Sequence, residues 1–474
     1  MGYFEDVKKW KNYHSADSAE LSHLKIVIDN VTKGAAFTFK YKSLNIGKRT
    51  GEIIRDLVWG ENPDITLSNA KDTNKDKIKG EDFIVSVNKV LSDSKFNSMM
   101  HQYIECMVTE GGFFIKTVLV KSDDDKLERI ELHFYTPEDA EPVEWTNNTM
   151  TSVNFYQYKD IMYRGSINKA KIIENHTLNK DTYNVVYTIE VAGETVKPSA
   201  IGLEYADFVY DGVTKPLFTY FKSPKAHNKS YDIMYGSSIY SGVEPQLEQI
   251  DICYGEILLD MKVNRTIGIL SREAAPDMDT LANEKTIGRT FNLDTMYMAL
   301  NTTSDGILID PVKRLSSQFN TENIVKGLDT ALRLYESSVG LSSGTFTSSG
   351  DVAKTATEIV SKESSSYRTK STFEQNITYG INDLITAIVQ LLNYANDTDY
   401  GIDNISVKYY DAADQDDSAF INELESSVTA GLRTWKKAIM LFNSCDELQA
   451  TVLMNEIIAE RKLRDGQISE TNTK

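Results

Sequence analysis

At 474 residues the chain is too long for a single hydrophobic core and suggests about three structural units. Its 41% hydrophobic and 25% charged residues are ordinary for a globular protein, and no run of about eighteen apolar residues offers a bilayer span. The formal net charge of −18 excludes a broad grip on nucleic-acid phosphates; it suits either plain solubility or a passage along which a polyanion slides.

The first ten residues, Met1 to Trp10, carry no apolar signal-peptide core, and Asp6 breaks a myristoylation pattern, so the chain is expected to stay in the cytoplasm where it is made. Leu21, Leu24, Ile28 and Val31 suggest a helix, and Ala36 to Leu44 alternates aromatic with polar residues. Thr50 to Trp59 reads as a short amphipathic helix. Glu61 to Asp64 breaks it, and Ile65 to Leu67 reads as a strand. Asp72, Asn74 and Asp76 have the spacing of a calcium loop, but its sixth and twelfth positions would be Lys77 and Phe83, so the stretch is a solvated turn.

Phe83 to Val108 is helical in pattern, with Phe96, Met99, Met100, Tyr103, Ile104 and Met107 on one core-facing stripe. Gly111 and Gly112 make a tight turn before a strand to Val120, and Arg129 to Tyr135 is a second strand. Val153–Tyr158, Asn184–Val191 and Leu217–Phe221 then mark an antiparallel β region. Between Ser238 and Met261 the positions Leu247, Ile250, Tyr254, Ile257, Leu258 and Met261 form a helical stripe.

Short strands and Gly, Asp and Asn turns fill 264–320; flanked by two helices, they read as a small α/β module. Thr321 to Val339 is a helix carrying the pairs Glu322/Lys326 and Asp329/Arg333. The stretch 340–350 holds three Gly and six Ser or Thr, a linker by composition. From Val352 to about Asn396 a helix of roughly 45 residues, about 65 Å if straight, carries Phe373, Ile377, Ile381, Leu384, Ile388 and Leu391, with a bend expected near Gly380. Ile405 to Tyr410 returns as a strand. Phe420 to Ala430 is a helix stopped by Gly431; Thr434 caps the helix Trp435–Phe442, and Ser444 with Glu447 caps the last.

Several segments resemble the portal proteins of tailed bacteriophages. They are Lys222-Ser-Pro-Lys-Ala-His-Asn228, Tyr235-Gly-Ser-Ser-Ile-Tyr-Ser241 with Gln249-Ile-Asp251, and Val339-Gly-Leu-Ser-Ser-Gly-Thr-Phe346 leading into Lys354-Thr-Ala-Thr-Glu-Ile-Val-Ser361. The break at Glu61–Pro63, the glycine turn at 111–112 and the Pro142/Trp145 spacing also match, and the likeness runs from about Gly51 to Arg461. The resemblance implies an α+β fold of portal type: an N-terminal wing at 1–234, stem helices at 235–264 and 321–339, and a clip at 265–320. It also implies a tunnel loop at 340–351, a long helix and return strand of the wing at 352–411, a helical crown at 412–464 and a disordered tail at 465–474.

It further implies a non-enzymatic ring, a dodecamer, at one capsid vertex of the virion, assembled in the host cytoplasm. Double-stranded DNA would pass through it without sequence preference. The partners would be the terminase large subunit, then a head–tail adaptor, with the major capsid and scaffolding proteins around it, and no membrane. Ser342, Ser343, Thr345, Phe346, Thr347, Ser348 and Lys354 would face the DNA, small hydroxyls giving weak, sequence-neutral phosphate contacts. Phe346 either anchors the loop in the body or projects toward the DNA, and the sequence leaves both open. Arg272, Lys285 and Arg289 would sit on the clip docking surface, where solvated surface is the plainer reading.

Chemistry of other kinds finds no pattern. Gly47-Lys-Arg-Thr50 lacks the upstream glycine of a phosphate loop, since that position is Lys42. The six histidines show no His-x-x-x-His spacing, and no Gly-x-Ser-x-Gly elbow occurs. Asp123 to Asp125 is a charge run in a turn. Cys106, Cys253 and Cys445, odd in number and far apart, fit neither a disulfide framework nor a zinc cluster and are expected buried. No cofactor, metal or catalytic residue is expected. The alternatives are another phage head or tail-adaptor protein, or an enzyme such as a phosphohydrolase with an unrecognised site.

Overall fold

The computed structural model describes residues 3–15, 25–29, 36–40, 42–72, 80–121, 127–147, 149–180, 182–201, 203, 205–227, 234–263, 267–271, 297–300, 312–315, 321–347, 356–409, 424–431, 433–442 and a few between 450 and 457. The chain divides into two units, Met1–Lys408 and Tyr409–Lys474.

The first unit opens with α1 (Tyr3–Ser15), β1 (Lys25–Asp29), β2 (Ala36–Lys40), α2 (Ile46–Trp59), β3 (Asp64–Asp72), α3 (Gly80–Asp93) and α4 (Phe96–Glu110). The helix expected around Ile28 is instead β1: Ile26, Val27 and Ile28 are β-branched in a row, and Ile28 pairs with Phe37 of β2. The single helix expected over Phe83–Val108 is two. The backbone turns at Lys95, φ 50, where the Ser94 and Lys95 amides close back onto Val90 and Ser92 carbonyls. The apolar stripe continues across this break, with Phe83, Val87, Phe96, Met100, Ile104 and Met107 all buried.

Strands follow: β4 (Gly112–Lys121), β5 (Leu127–Tyr135), β6 (Ala140–Thr146), β7 (Thr149–Tyr163), β8 (Ser166–Asn179), β9 (Thr182–Val191), β10 (Glu194–Val196), β11 (Phe208–Asp211) and β12 (Phe218–Lys222). They form two antiparallel sheets, one ordered β12-β4-β5 and the other β10-β9-β8-β7-β6 with β11 also on β9. The β7–β8 hairpin closes through Arg164 and Gly165, φ 50 and 82, positive at both central positions as a tight two-residue turn requires. Inside this region lies a buried polar chain. Lys116 Nζ donates to Glu174 (2.6 Å), His176 Nε2 bonds the other oxygen of Glu174 (2.7 Å), and Tyr183 Oη meets His176 Nδ1 (2.7 Å).

The rest of the first unit comprises α5 (Glu244–Val263), β13 (Ile267–Ser271), β14 (Tyr297–Leu300), β15 (Val312–Leu315), α6 (Thr321–Val339), α7 (Ala356–Asn396) and β16 (Tyr400–Lys408). The first expected stem helix starts at Glu244 rather than Ser238. Gly242 at φ 83 turns the chain, and Pro245 sits in the first turn, where its missing N–H costs nothing. Between the two helices β13 pairs β14 in parallel and β15 antiparallel. The acid-first pairs on α6 are formed, Lys326 to Glu322 at 2.7 Å and Arg333 to Asp329 at 2.9 Å, both exposed and worth little individually. β16 returns to pair β3, Ile405 opposite Leu67.

All six apolar positions expected on α7, from Phe373 to Leu391, are buried. Gly380 is there for proximity: a Cβ would lie 2.5 Å from the buried Phe221 ring. Gly380→Ala should therefore lower stability by about 0–2 kcal/mol. The overpacking penalty of 1–3 kcal/mol exceeds the helix-propensity gain of about 1 kcal/mol. Thermal unfolding decides it, since a raised Tm would show that Phe221 can give way.

Cys106 and Cys253 are free but only half-buried, a correction to the expectation of full burial; both sit on helix flanks rather than on the core stripes. In the second unit residues 424–429 are helical and end at Gly431, φ 72. Thr434 Oγ1 accepts the Lys437 amide (3.3 Å) at the start of α8 (Trp435–Phe442), the expected cap. The turn at 73–79, Asp123–Asp125, Leu21, Leu24, Val31, Cys445, the Ser444/Glu447 box and the tail lie outside the described residues.

Candidate channel-facing loop and its base

Helix α6 ends where Gly340 adopts φ 76, and the chain then bends through Leu341 to Thr347, with Gly344 at φ 98. Such backbone is open only to glycine at no steric cost. Beneath the bend lies Glu336, in the last turn of α6 and fully buried. One of its carboxylate oxygens accepts the amides of Phe346 (2.6 Å) and Thr347 (3.1 Å), and the other accepts the amide of Gly344 (3.1 Å). The Leu341 amide bonds the Glu336 carbonyl (2.8 Å). A residue rich in acceptors thus satisfies three donors that a loop would otherwise leave to water.

The same bend is joined to α7. Ser342 and Ser366 exchange backbone amides for hydroxyls, at 2.8 and 3.2 Å, and Thr369 Oγ1 donates to the Gly340 carbonyl (2.7 Å). Thr345 Oγ1 folds back to the Ser342 carbonyl (2.6 Å). Below, Tyr335 Oη meets Thr50 Oγ1 of α2 (2.9 Å), and the Tyr240 hydroxyl donates to the Gly47 carbonyl (2.6 Å). Helix α5 packs on α6, with Gln246 Nε2 donating to Ser338 Oγ (3.1 Å). On α5, Asp251 accepts the Leu44 amide (2.8 Å) and the Ser43 hydroxyl (3.1 Å); burial still pushes its carboxyl above the usual range.

The sequence-based site residues therefore separate into groups. Ser342 and Thr347 are buried in the bend, at 8% and 5% exposure. Ser343 is exposed, and Thr345 is half-buried with its hydroxyl turned inward. Phe346 is half-buried: its ring lies 6.2 Å from Tyr335, and it lines an open hollow with Leu332, Leu44 and Ile46. Ser348, Lys354, Arg272, Lys285 and Arg289 lie outside the described residues. Sequence reasoning missed Glu336. Its signal was an acid in the last turn of a helix, opposed to the helix dipole and directly before a small-residue loop. Among the described residues no group of three or more acidic, His or Cys side chains could hold a metal, and no helix is long and apolar enough to cross a membrane.

Chemically the bend is a scaffold, in which one buried acceptor gathers three amides and hydroxyls splice α6 to α7. The particular family follows from nearly the whole chain: the family model "Phage portal protein, SPP1 Gp6-like" matches residues 4–450, so the chain belongs to that family. Its mixed helix-and-sheet architecture is the α+β one expected. No curated protein matches it. Among solved structures it is similar to a chain of "Virion of native gene transfer agent (GTA) particle", with TM-score 0.44, 11% identity, and 92% of this chain and 93% of that one covered. It is also similar to a chain of "Neck of native GTA particle computed with C12 symmetry", with TM-score 0.42, 12% identity and coverage of 84% and 89%.

Proposed function

We propose that copies of this chain close into a ring, a dodecamer, through which double-stranded DNA enters and leaves the capsid. Helices α5 and α6 form the wall, and the strands between them, with Arg272, Lys285 and Arg289, belong to the clip that docks the terminase and then the adaptor. Ser343 leads the DNA-facing side of the bend, with Ser348 and Lys354 following. Ser342, Thr347 and Phe346 hold its foot rather than touch DNA. Major capsid and scaffolding proteins surround the ring.

The observation that carries this reading is the bend fixed on Glu336 between two helices, because a loop meant to narrow a channel needs a rigid foot. Met261 on α5 and Val325 and Leu334 on α6 are exposed, apolar surface that a neighbouring copy would cover. Acid-rich walls with hydroxyl contacts fit sliding better than gripping. Native mass spectrometry and electron microscopy of the purified protein should give a closed ring with a central hole. Monomer alone under assembly-promoting conditions would overturn the reading.

A further inference from the structure

Helix α1 is tied by polar side chains to three neighbouring elements. Lys9 pairs with Glu244 (3.7 Å) and the Tyr13 hydroxyl donates to Glu248 (2.8 Å), both on α5. Lys11 donates to Glu138 in the turn between β5 and β6, and His14 Nε2 meets Glu105 of α4 (2.7 Å). Near the start of α1, Asp6 faces His227 (3.8 Å). The apolar hold is small: Tyr3, Val7 and Trp10 are the buried residues of the helix. Thirteen residues with so little burial do not keep a helix on their own, so α1 opens at far lower cost than the core does.

Beside this helix lies Glu110, the last residue of α4. It is 4% exposed, and its Oε2 is buried without a hydrogen-bond partner. The backbone holds it there: Gly111 follows at φ 96, a Cβ on it would lie 2.6 Å from the Gly236 carbonyl, and its own carbonyl accepts the Ser223 amide (3.0 Å). An ionised carboxylate in such a place is costly, and a protonated one far less so. The groups facing it are mixed in sign. Helix α1 brings Lys11, His14 and the Tyr3 phenol, and the β5–β6 turn brings Glu138 and Asp139. Helix α4 itself brings Tyr103 and Cys106, with Glu105 beside the thiol, and Tyr240 comes from the segment before α5. Burial pushes the Glu110 carboxyl up to about 7; Glu138 and Asp139 push the same way, and Lys11 and His14 pull against them.

We propose that α1 is a proton-operated strap: it seats while Glu110 carries a proton and lifts when Glu110 loses it, because lifting lets water reach the carboxylate. Lifting also breaks the ties to Glu244 and Glu248, so the same event slackens the link between α5 and α4. With α1 lifted the carboxyl returns to its ordinary value of 4.5. The seated state therefore gains fully from the proton below that value and loses the gain as pH rises through about 7. Glu105 acts in the opposite sense and in another range. The hydrogen bond from His14 holds its carboxyl below the usual 4.5, so that tie is lost only as pH falls further. Every contact lies within one subunit, and the strap stands apart from the channel reading.

Hydrogen–deuterium exchange of the full chain, corrected for intrinsic exchange rates, reads the protection of Tyr3–Ser15 at each pH. That protection should fall at least about tenfold from about pH 5 to about pH 7, while the buried half of α7 keeps its own. Glu110→Gln, neutral and equal in size, should keep the low-pH protection and lose most of the fall. Lys11→Met removes a cation that favours the ionised carboxylate, so it should move the fall to higher pH; this keeps the test decisive if Glu110→Gln does not fold. Wild-type protection that ignores pH, or an equal fall in α7, overturns the strap. So does a full-sized fall in Glu110→Gln, or a fall that Lys11→Met leaves where it was.

Discussion

Glu336→Ala should cost about 3–5 kcal/mol of stability, among the largest losses a single change in this chain can produce. The carboxylate is fully buried and is the acceptor for three main-chain amides. Each such charged hydrogen bond is worth about 1.5–3 kcal/mol, and the donors left behind must stay desolvated or drag the bend open. Glu336→Gln is the discriminating variant. Its amide keeps one acceptor oxygen but turns an N–H₂ toward a donor, so roughly half the loss should remain. Denaturant unfolding measures the first effect. Limited proteolysis beyond Thr347 measures the second, since cleavage should quicken in both variants and most in Glu336→Ala. Wild-type stability in Glu336→Ala would show that the loop is held by its serines and threonines alone.

The second large effect belongs to the buried chain Lys116–Glu174–His176–Tyr183. Glu174→Ala should cost about 3–5 kcal/mol, because Lys116, 2% exposed, loses its carboxylate in a place water does not reach. Adding Lys116→Met should recover part of that loss. Acid should act on the same group in two windows. Burial lowers the pKa of His176 below its usual 6.5, so the unfolded chain takes up a proton that the folded one refuses, and stability falls as pH drops past that value. Burial alone would raise the Glu174 carboxyl, but His176 and Lys116 outweigh it and hold it at about 2. Its contribution is complete above about pH 4.5 and is lost as pH falls toward 2. Glu174→Gln should flatten this lower window in unfolding experiments. An unchanged acid limb would assign the acid sensitivity to other carboxylates.

Much of this architecture could be read from residue patterns, because long periodic elements carry their own signal. The α6 boundaries, the α7 core stripe and the Thr434 cap rest on local chemistry alone. The failures were non-local. Ser166–Asn179 went unread as a strand because Lys169, Lys171, Glu174 and His176 break the apolar count, and two of those four are buried only through partners on other strands. Ile28 was read at helical spacing with neighbours outside β1, although its own neighbours are β-branched. At the bend, composition pointed to a flexible hydroxyl-rich linker. What makes it rigid is a carboxylate on the preceding helix, and only the fold brings Glu336 under the amides of 344, 346 and 347.

The junction of α6 and α7 has a mechanical consequence. Glu336 holds the bend, and Ser342, Ser366 and Thr369 tie it to α7 as an elbow. Beyond the elbow α7 is embedded from Phe373 to Leu391. A thrust along α6 would therefore be delivered into the body of the subunit as through a strut, and the elbow would tilt with the whole lever instead of flexing alone.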